Sequence, residues 1–434
     1  MIELAPILKK AYWVLALCGL IYVSLIFSLT YPTIQRGVLY SHGINPSRFY
    51  DVNDVENFGF LKSQVQPFNL LTPDNATLYA WHILPLHLCK EHERELLASH
   101  SYGVAEDMTR TGAFNLLARD PNARVIVNLH GNAANLGSGY RPGIYRNFVS
   151  MSTPYHPVHV IAFDYRGFGL STGEPTEEGL ITDALTVINY LTSPPLSISP
   201  SRIAVVGESL GTGVAAGLAE RLAFGDASPV KTLAGFVLVA PFSNIPKLLE
   251  SYCIMGIFPP LLSPLMGYPR YKKYVLDHII DRWDTASRLA RLTGVSPQSD
   301  SDAEHDDKNF HLTIMHAAND PDIPWREGKR AWEAAVGGED AAKLGTFTEQ
   351  SISSDNTTEV KTWERRVGSG LKRVRWQKVR YGGMASPVSS SNIPSNERTV
   401  RVSRWMLNYS LFYLGHNEIA SLSPAALAVM KVFD

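Results

Sequence analysis

Apolar residues along this chain follow three patterns. The first is an unbroken run: no charged residue occurs between Ala11 and Gln35, and AYWVLALCGLIYVSLIFSLTY is almost wholly apolar. At 1.5 Å per residue, about 20 such residues cross a hydrocarbon layer of roughly 30 Å. Tyr12, Trp13 and Tyr31 sit near its two ends, where amphipathic rings favour the membrane interface. A core helix would carry a polar face, and a signal peptide a shorter apolar run with a small-residue cleavage site; neither is found. The expectation is a single-pass membrane anchor over residues 1–36, with the remainder, 37–434, as one domain.

The second and third patterns alternate through that domain. Val65–Leu71 and Ala76–Leu84 flank a Pro73-Asp74-Asn75 turn and predict a hairpin. Short β-branched runs follow at Arg124–Leu129, Val158–Phe163, Ile203–Val206, Gly235–Ala240 and Leu312–His316, with a last strand at Leu371–Tyr381. Helical periodicity lies between or after them, at Thr176–Leu191, Thr212–Ala223, Asp284–Leu292, Trp325–Ala335 and Ser423–Phe433. Apolar strands alternating with amphipathic helices predict an α/β fold, a mostly parallel sheet covered by helices on both faces. Cys89–Asp120 reads as a helical excursion with a solvated acidic face, and Pro297–Asn309 as a solvated loop. Residues 241–281 are apolar but too rich in proline for one helix, which predicts a small cap of short helices.

Composition narrows the function classes. Forty Lys and Arg against 41 Asp and Glu leave a formal net charge of −1, so no basic excess draws nucleic acid. Three cysteines (Cys18, Cys89, Cys253) show no metal or redox spacing and allow one bridge at most, Cys89 to Cys253.

The chemistry concentrates at Gly207-Glu208-Ser209-Leu210-Gly211, which joins the strand Ile203–Val206 to a helical pattern. That placement is a nucleophile elbow: the two glycines let strand and helix backbones approach, and Ser209 is held above the sheet edge at a helix N-terminus. An oxyanion hole needs two backbone N–H groups. Leu210, just after the nucleophile, supplies one; Asn132, in the turn His130-Gly131-Asn132 after Arg124–Leu129, supplies the other. Asp164 and Arg166 are expected to pin the loop after their strand, and Glu208 to support the elbow.

On His130-Gly131-Asn132-Ala133, Phe163-Asp-Tyr-Arg-Gly-Phe-Gly169 and Gly207–Gly213, the chain resembles the α/β-hydrolase superfamily, and within it the α/β-hydrolase domain-containing protein 12 group. The resemblance implies an α/β-hydrolase fold and a membrane-anchored lipase acting on lysophosphatidylserine or monoacylglycerol, without cofactor or metal. It also implies the triad order Ser, acid, His. Asp320 follows the strand Leu312–His316 where the family keeps its acid, with Asp322 as rival; after Asp320 only His416 remains as base.

Residues 384–415 depart from the family pattern. Joining Gly383 to His416 restores a short connection from the last strand to the base, whereas the stretch between has no clean period. It is expected to be either a retained in-frame intron or a poorly packed excursion beside the active site. The expected function is hydrolysis of a lipid acyl ester, of a lysophospholipid or monoacylglycerol, by Ser209, His416 and Asp320. A protein S-depalmitoylase, a peptidase and a catalytically dead membrane scaffold are the alternatives. Lys9 and Lys10 before the anchor give a faint preference for a cytosolic N-terminus, hence a luminal domain in the endoplasmic reticulum, where Asn75 and Asn356 would be glycosylation acceptors.

Overall fold

The computed structural model describes residues 6–99, 102–225, 229–252, 262–296, 308–354, 358–380 and 418–433. Ten strands form one sheet: β1 (Val65–Leu71), β2 (Thr77–Ile83), β3 (Arg124–Leu129), β4 (Val158–Phe163), β5 (Ile203–Glu208), β6 (Gly235–Val239), β7 (Phe310–Ala317), β8 (Thr346–Ile352), β9 (Glu359–Val367) and β10 (Gly370–Val379). Their spatial order is β1-β2-β4-β3-β5-β6-β7-β10-β9-β8. The six central strands, β4 to β10 in that order, run parallel, so their carboxyl ends share one edge. Antiparallel hairpins close both ends, β1–β2 beside β4 and β8–β9 beside β10.

The hairpin of β8 and β9 was not anticipated. β8 is exposed along nearly its whole length, so it carries no apolar alternation to reveal it. Its neighbour β9 is held by polar cross-strand pairs, among them Arg373 to Glu364 at 2.7 Å and the Trp376 indole donating to Glu359 at 2.8 Å.

The chain opens with helices α1 (Pro6–Ser28) and α2 (Pro32–Tyr40), and α3 (Leu86–Glu91), α4 (Glu93–Ser99) and α5 (Gly112–Arg119) fill the excursion after β2. Then come α6 (Arg141–Val149), α7 (Glu177–Thr192), α8 (Leu210–Phe224), α9 (Ile245–Ser251), α10 (Pro269–Asp277), α11 (Thr285–Leu292), α12 (Trp325–Val336), α13 (Ala341–Leu344) and α14 (Ser423–Met430). Alternation along the parallel strands splits the core in two. Val125, Val127, Val205 and Leu238 face α7, α8 and α12; Ile126, Ala204, Val206 and Val237 face α6 and α14. Burial of each fully enclosed Val, Leu or Ile side chain among these contributes about 1.5–3 kcal/mol before the entropy of ordering it is counted.

Two buried polar features stand out. His82 on β2 and His159 on β4 share a hydrogen bond of 2.9 Å inside the core, and desolvation pushes the His82 imidazole down to about 3. Cys89 is a buried free thiol; its expected partner Cys253 lies outside the described residues. α1 is long and apolar enough to cross a membrane, with a mean hydropathy of 2.0.

Candidate active site

Ser209 is the single residue between β5 and α8, with φ 51° and ψ −114°, a conformation that L-residues rarely adopt. Glycine on both sides makes so sharp a turn possible. A Cβ on Gly207 would stand 2.3 Å from the Gly211 carbonyl oxygen, and one on Gly211 would stand 2.0 Å from that of Leu129. Both obstacles are backbone and cannot rotate away. The Ser209 N–H extends the ladder to the Val239 carbonyl at 3.0 Å, and the Ser209 carbonyl accepts from the Thr212 N–H and Oγ1 at 2.9 and 2.6 Å. The serine therefore opens α8, at the positive end of that helix's dipole. Beneath it the Glu208 carboxylate is fully buried and accepts from Asn128 Nδ2 at 2.8 Å, tying the elbow to β3.

The turn after β3 is built around a residue that no motif announces. The Arg141 guanidinium, 4% exposed, donates to the carbonyls of Asn135 (2.5 Å), Ala133 (3.0 Å), Gly131 (3.1 Å) and Asn132 (3.1 Å). With those carbonyls drawn to one cation, the backbone turns left-handed at Ala133 (φ 59°) and Ala134 (φ 60°). Their amides donate outward, to the carbonyls of Tyr40 (2.9 Å) and Ile44 (3.0 Å). His130 closes the same turn from within. Its Nδ1 donates to the Gly131 carbonyl at 2.6 Å and its Nε2 lies 3.4 Å from Asp164, while burial, aided by the Arg141 charge, lowers its pKa.

Asp164 and Arg166 hold the loop after β4, as their position in the sequence implied. Asp164 accepts from the Leu136 N–H at 2.6 Å, and Arg166 bridges Asp183 (2.7 Å) and Asp74 (2.6 Å).

Asp320 lies in the loop after β7, two strands from Ser209 on the same edge; Glu208 is in register with Val239, and Val239 with Met315. Its side chain is fully buried. Oδ1 accepts the N–H groups of Asp322 (3.0 Å) and Ile323 (2.9 Å), and Oδ2 lies 3.3 Å from His316 Nε2. His316 in turn binds the Ile323 carbonyl at 2.9 Å, and Gly328 of α12 makes room for the ring, since a Cβ there would stand 2.4 Å from Nδ1. Asp322 thus turns its amide toward Asp320, which makes Asp320 the organising carboxylate of the loop.

His416 and residues 384–415 lie outside the described residues, as do 253–261 of the expected cap and Asn356. Within 241–281 the described elements are α9, a short 3-10 turn Ser263–Leu265 and α10. β10 ends beside Ala317 at the carboxyl edge, and the chain resumes at Glu418–Ser421 against α6, where Asn147 Nδ2 donates to the Ala420 and Leu422 carbonyls at 3.0 Å each. Among the described residues no group of three His, Cys, Asp or Glu side chains is placed to hold a metal ion.

Comparison with known proteins identifies the family. The family model described as alpha/beta hydrolase family matches residues 125–365, more than half of the chain. Lysophosphatidylserine lipase ABHD12 of Xenopus tropicalis is 28% identical over 305 residues, covering 70% of this chain and 66% of that protein. Its Mus musculus counterpart is 25% identical, over 70% of this chain and 64% of the other. Protein ABHD12B of Homo sapiens is 32% identical over half of this chain and 51% of its own length. The chain thus spans slightly less than two thirds of the lipases it matches.

Proposed function

Because the chain belongs to the alpha/beta hydrolase family, we propose that it is a serine ester hydrolase acting on a lipid acyl ester at the face of a membrane. Ser209 Oγ attacks the acyl carbonyl while His416, oriented by Asp320, takes its proton. The Asn132 and Leu210 amides bind the resulting oxyanion, the alcohol leaves with the proton returned by His416, and water then cleaves the acyl-enzyme. Every step uses side chains and backbone of this chain, and none calls for a cofactor or metal. The observation that carries the reading is Ser209 held in a strained conformation at the start of α8, between two glycines whose Cβ atoms would meet backbone.

The lipase names of the relatives support a lipid with one acyl chain exposed to attack, a lysophospholipid or monoacylglycerol. Anchoring by α1, a luminal catalytic domain in the endoplasmic reticulum and a cap formed by residues 241–281 complete the proposal. The stretch 384–415 is read as a retained intron; peptides spanning Val400–Trp405 in the native protein would overturn that part alone.

The test is labelling by a fluorophosphonate probe, competed with lysolipids, monoacylglycerols and acyl-peptides. Labelling is expected in the wild type, absent in Ser209→Ala, and competed by the lipid esters. An unlabelled wild type would leave the membrane scaffold as the reading; competition by the acyl-peptides alone would make the protein a depalmitoylase or peptidase.

A further inference from the structure

The end of α1 is not free of the catalytic domain. Ile26 is buried in a small cluster with Leu262 and Val275, and Tyr22, Leu29, Leu265 and Leu276 pack around it. The next helix, α2, is fastened to the chain just after α10: Gln35 donates to the His278 carbonyl at 2.6 Å and accepts from the Ile280 N–H at 3.1 Å, and Arg36 pairs with Asp281 at 2.9 Å. α10 is therefore held where the apolar helix ends.

Tyr271 and Tyr274 lie three apart on one face of α10, and Tyr268, the residue before the helix, stands beside Tyr271 with ring centroids 6.4 Å apart. Tyr268, Tyr271 and Tyr274 are 60%, 68% and 49% exposed, and Met266 beside them is 74% exposed. Solvent is a poor place for such a stripe. A phenol ring with its hydroxyl suits the boundary between headgroups and hydrocarbon, which is also where a spanning helix must end. Two of the intervening cations are already matched, Lys272 by Glu250 (2.9 Å) and Lys273 by Asp277 (2.6 Å), so the face offers aromatic partitioning more than positive charge.

We propose that the α10 tyrosine stripe is a second, in-plane contact with the headgroup layer of the bilayer that α1 crosses, and that it needs no anionic lipid. This rests on the reading of α1 as a membrane anchor. It has a consequence for the site: the carbonyls of Tyr40, which ends α2, and of Ile44 hold the turn that presents the Asn132 amide. Anchor, stripe and oxyanion turn then form one connected support at the membrane surface.

The experiment uses the full-length chain in phosphatidylcholine vesicles, with Cys18, Cys89 and Cys253 replaced and one environment-sensitive fluorophore per variant. The label is placed at Cys18 restored in α1, at Tyr271→Cys, or at Tyr155→Cys, which is 81% exposed before β4 on the opposite edge of the sheet. A spin label on the lipid headgroup is expected to quench position 271 roughly twofold or more while leaving 155 unchanged, and a spin label in the acyl chain to quench position 18. Adding phosphatidylserine should change nothing. Quenching at 18 with 271 behaving like 155 would overturn the stripe and leave the anchor standing. No quenching at 18 would overturn both. A blue shift at 271 without quenching would mean a protein covers the face, which also overturns the proposal.

Discussion

Replacing Gly211 with alanine should abolish activity, while the same substitution at Gly217, six residues along the same helix, should not. The Gly211 Cβ would stand 2.0 Å from the Leu129 carbonyl oxygen and 2.7 Å from its carbon. Ordinary contact begins near 3.4 Å, so α8 and the end of β3 must part by more than an ångström. That separation moves the Leu210 amide away from the Asn132 amide, and a misplacement of about 1 Å costs on the order of 10²-fold in rate. Overpacking adds roughly 1–3 kcal/mol of destabilisation. At Gly217 the new Cβ would stand 2.4 Å from Ile181 Cδ1 and 2.8 Å from its Cγ1, side-chain atoms that can shift by rotation where a backbone carbonyl cannot. There the gain in helix propensity, about 1 kcal/mol, offsets much of the crowding. Turnover of a soluble short-chain ester and thermal unfolding, followed for both variants in the same detergent, check this. If Gly211→Ala keeps more than about a tenth of wild-type turnover, or if Gly217→Ala is equally inactive, backbone contact is not what distinguishes the two positions.

Arg141→Met should lower kcat about 10²-fold with little change in KM, because it removes the cation that draws four carbonyls inward and so orients the Asn132 amide; Arg141→Lys should restore part of it. Steady-state kinetics on a soluble ester separate this from misfolding, which would lower active-site titre instead. Asp320→Asn keeps the acceptor for the Asp322 and Ile323 amides but loses the charge, so fluorophosphonate labelling should slow by roughly 10³–10⁴-fold, against less than about threefold for Asp322→Asn. Stability should fall with acid through the buried histidines. With both folded pKa values lowered by burial below the unfolded 6.5, the contribution of His82 and His159 is complete above pH 6.5 and is lost as pH falls below it, for His82 down to about 3. The loss is about 1.4 kcal/mol per unit for each group, so unfolding of His82→Leu/His159→Leu measured between pH 6.5 and 5 should show a shallower slope than wild type.

The parallel core, the elbow and the apolar helix were legible because each is a local rule. Ile203–Val206 alternates into a fully buried strand, Gly207 and Gly211 bracket the serine at the one spacing a strand-to-helix reversal permits, and α1 needs nothing but its own composition. Asp320 followed from the end of β7, where the sheet itself gathers ligand-facing groups. The β8–β9 hairpin escaped because an exposed edge strand has no apolar face to repeat; its partners are charges spread over Glu349, Glu364 and Arg373. His316 lay in an apolar run and read as one more strand residue, although it supports the Asp320 loop.

Arg141 marks the limit most clearly. Its four acceptors are backbone carbonyls, which every residue possesses, so no side-chain pattern distinguishes the ones a guanidinium will reach. The sequence by itself determined the sharp turn at Ser209 and the place of Asp320 after β7, since a strand end and two flanking glycines depend on immediate neighbours. How α2, α6 and the end of β3 converge to hold the turn after β3 was decided only by the tertiary structure, because those contacts run through backbone atoms that carry no sequence identity.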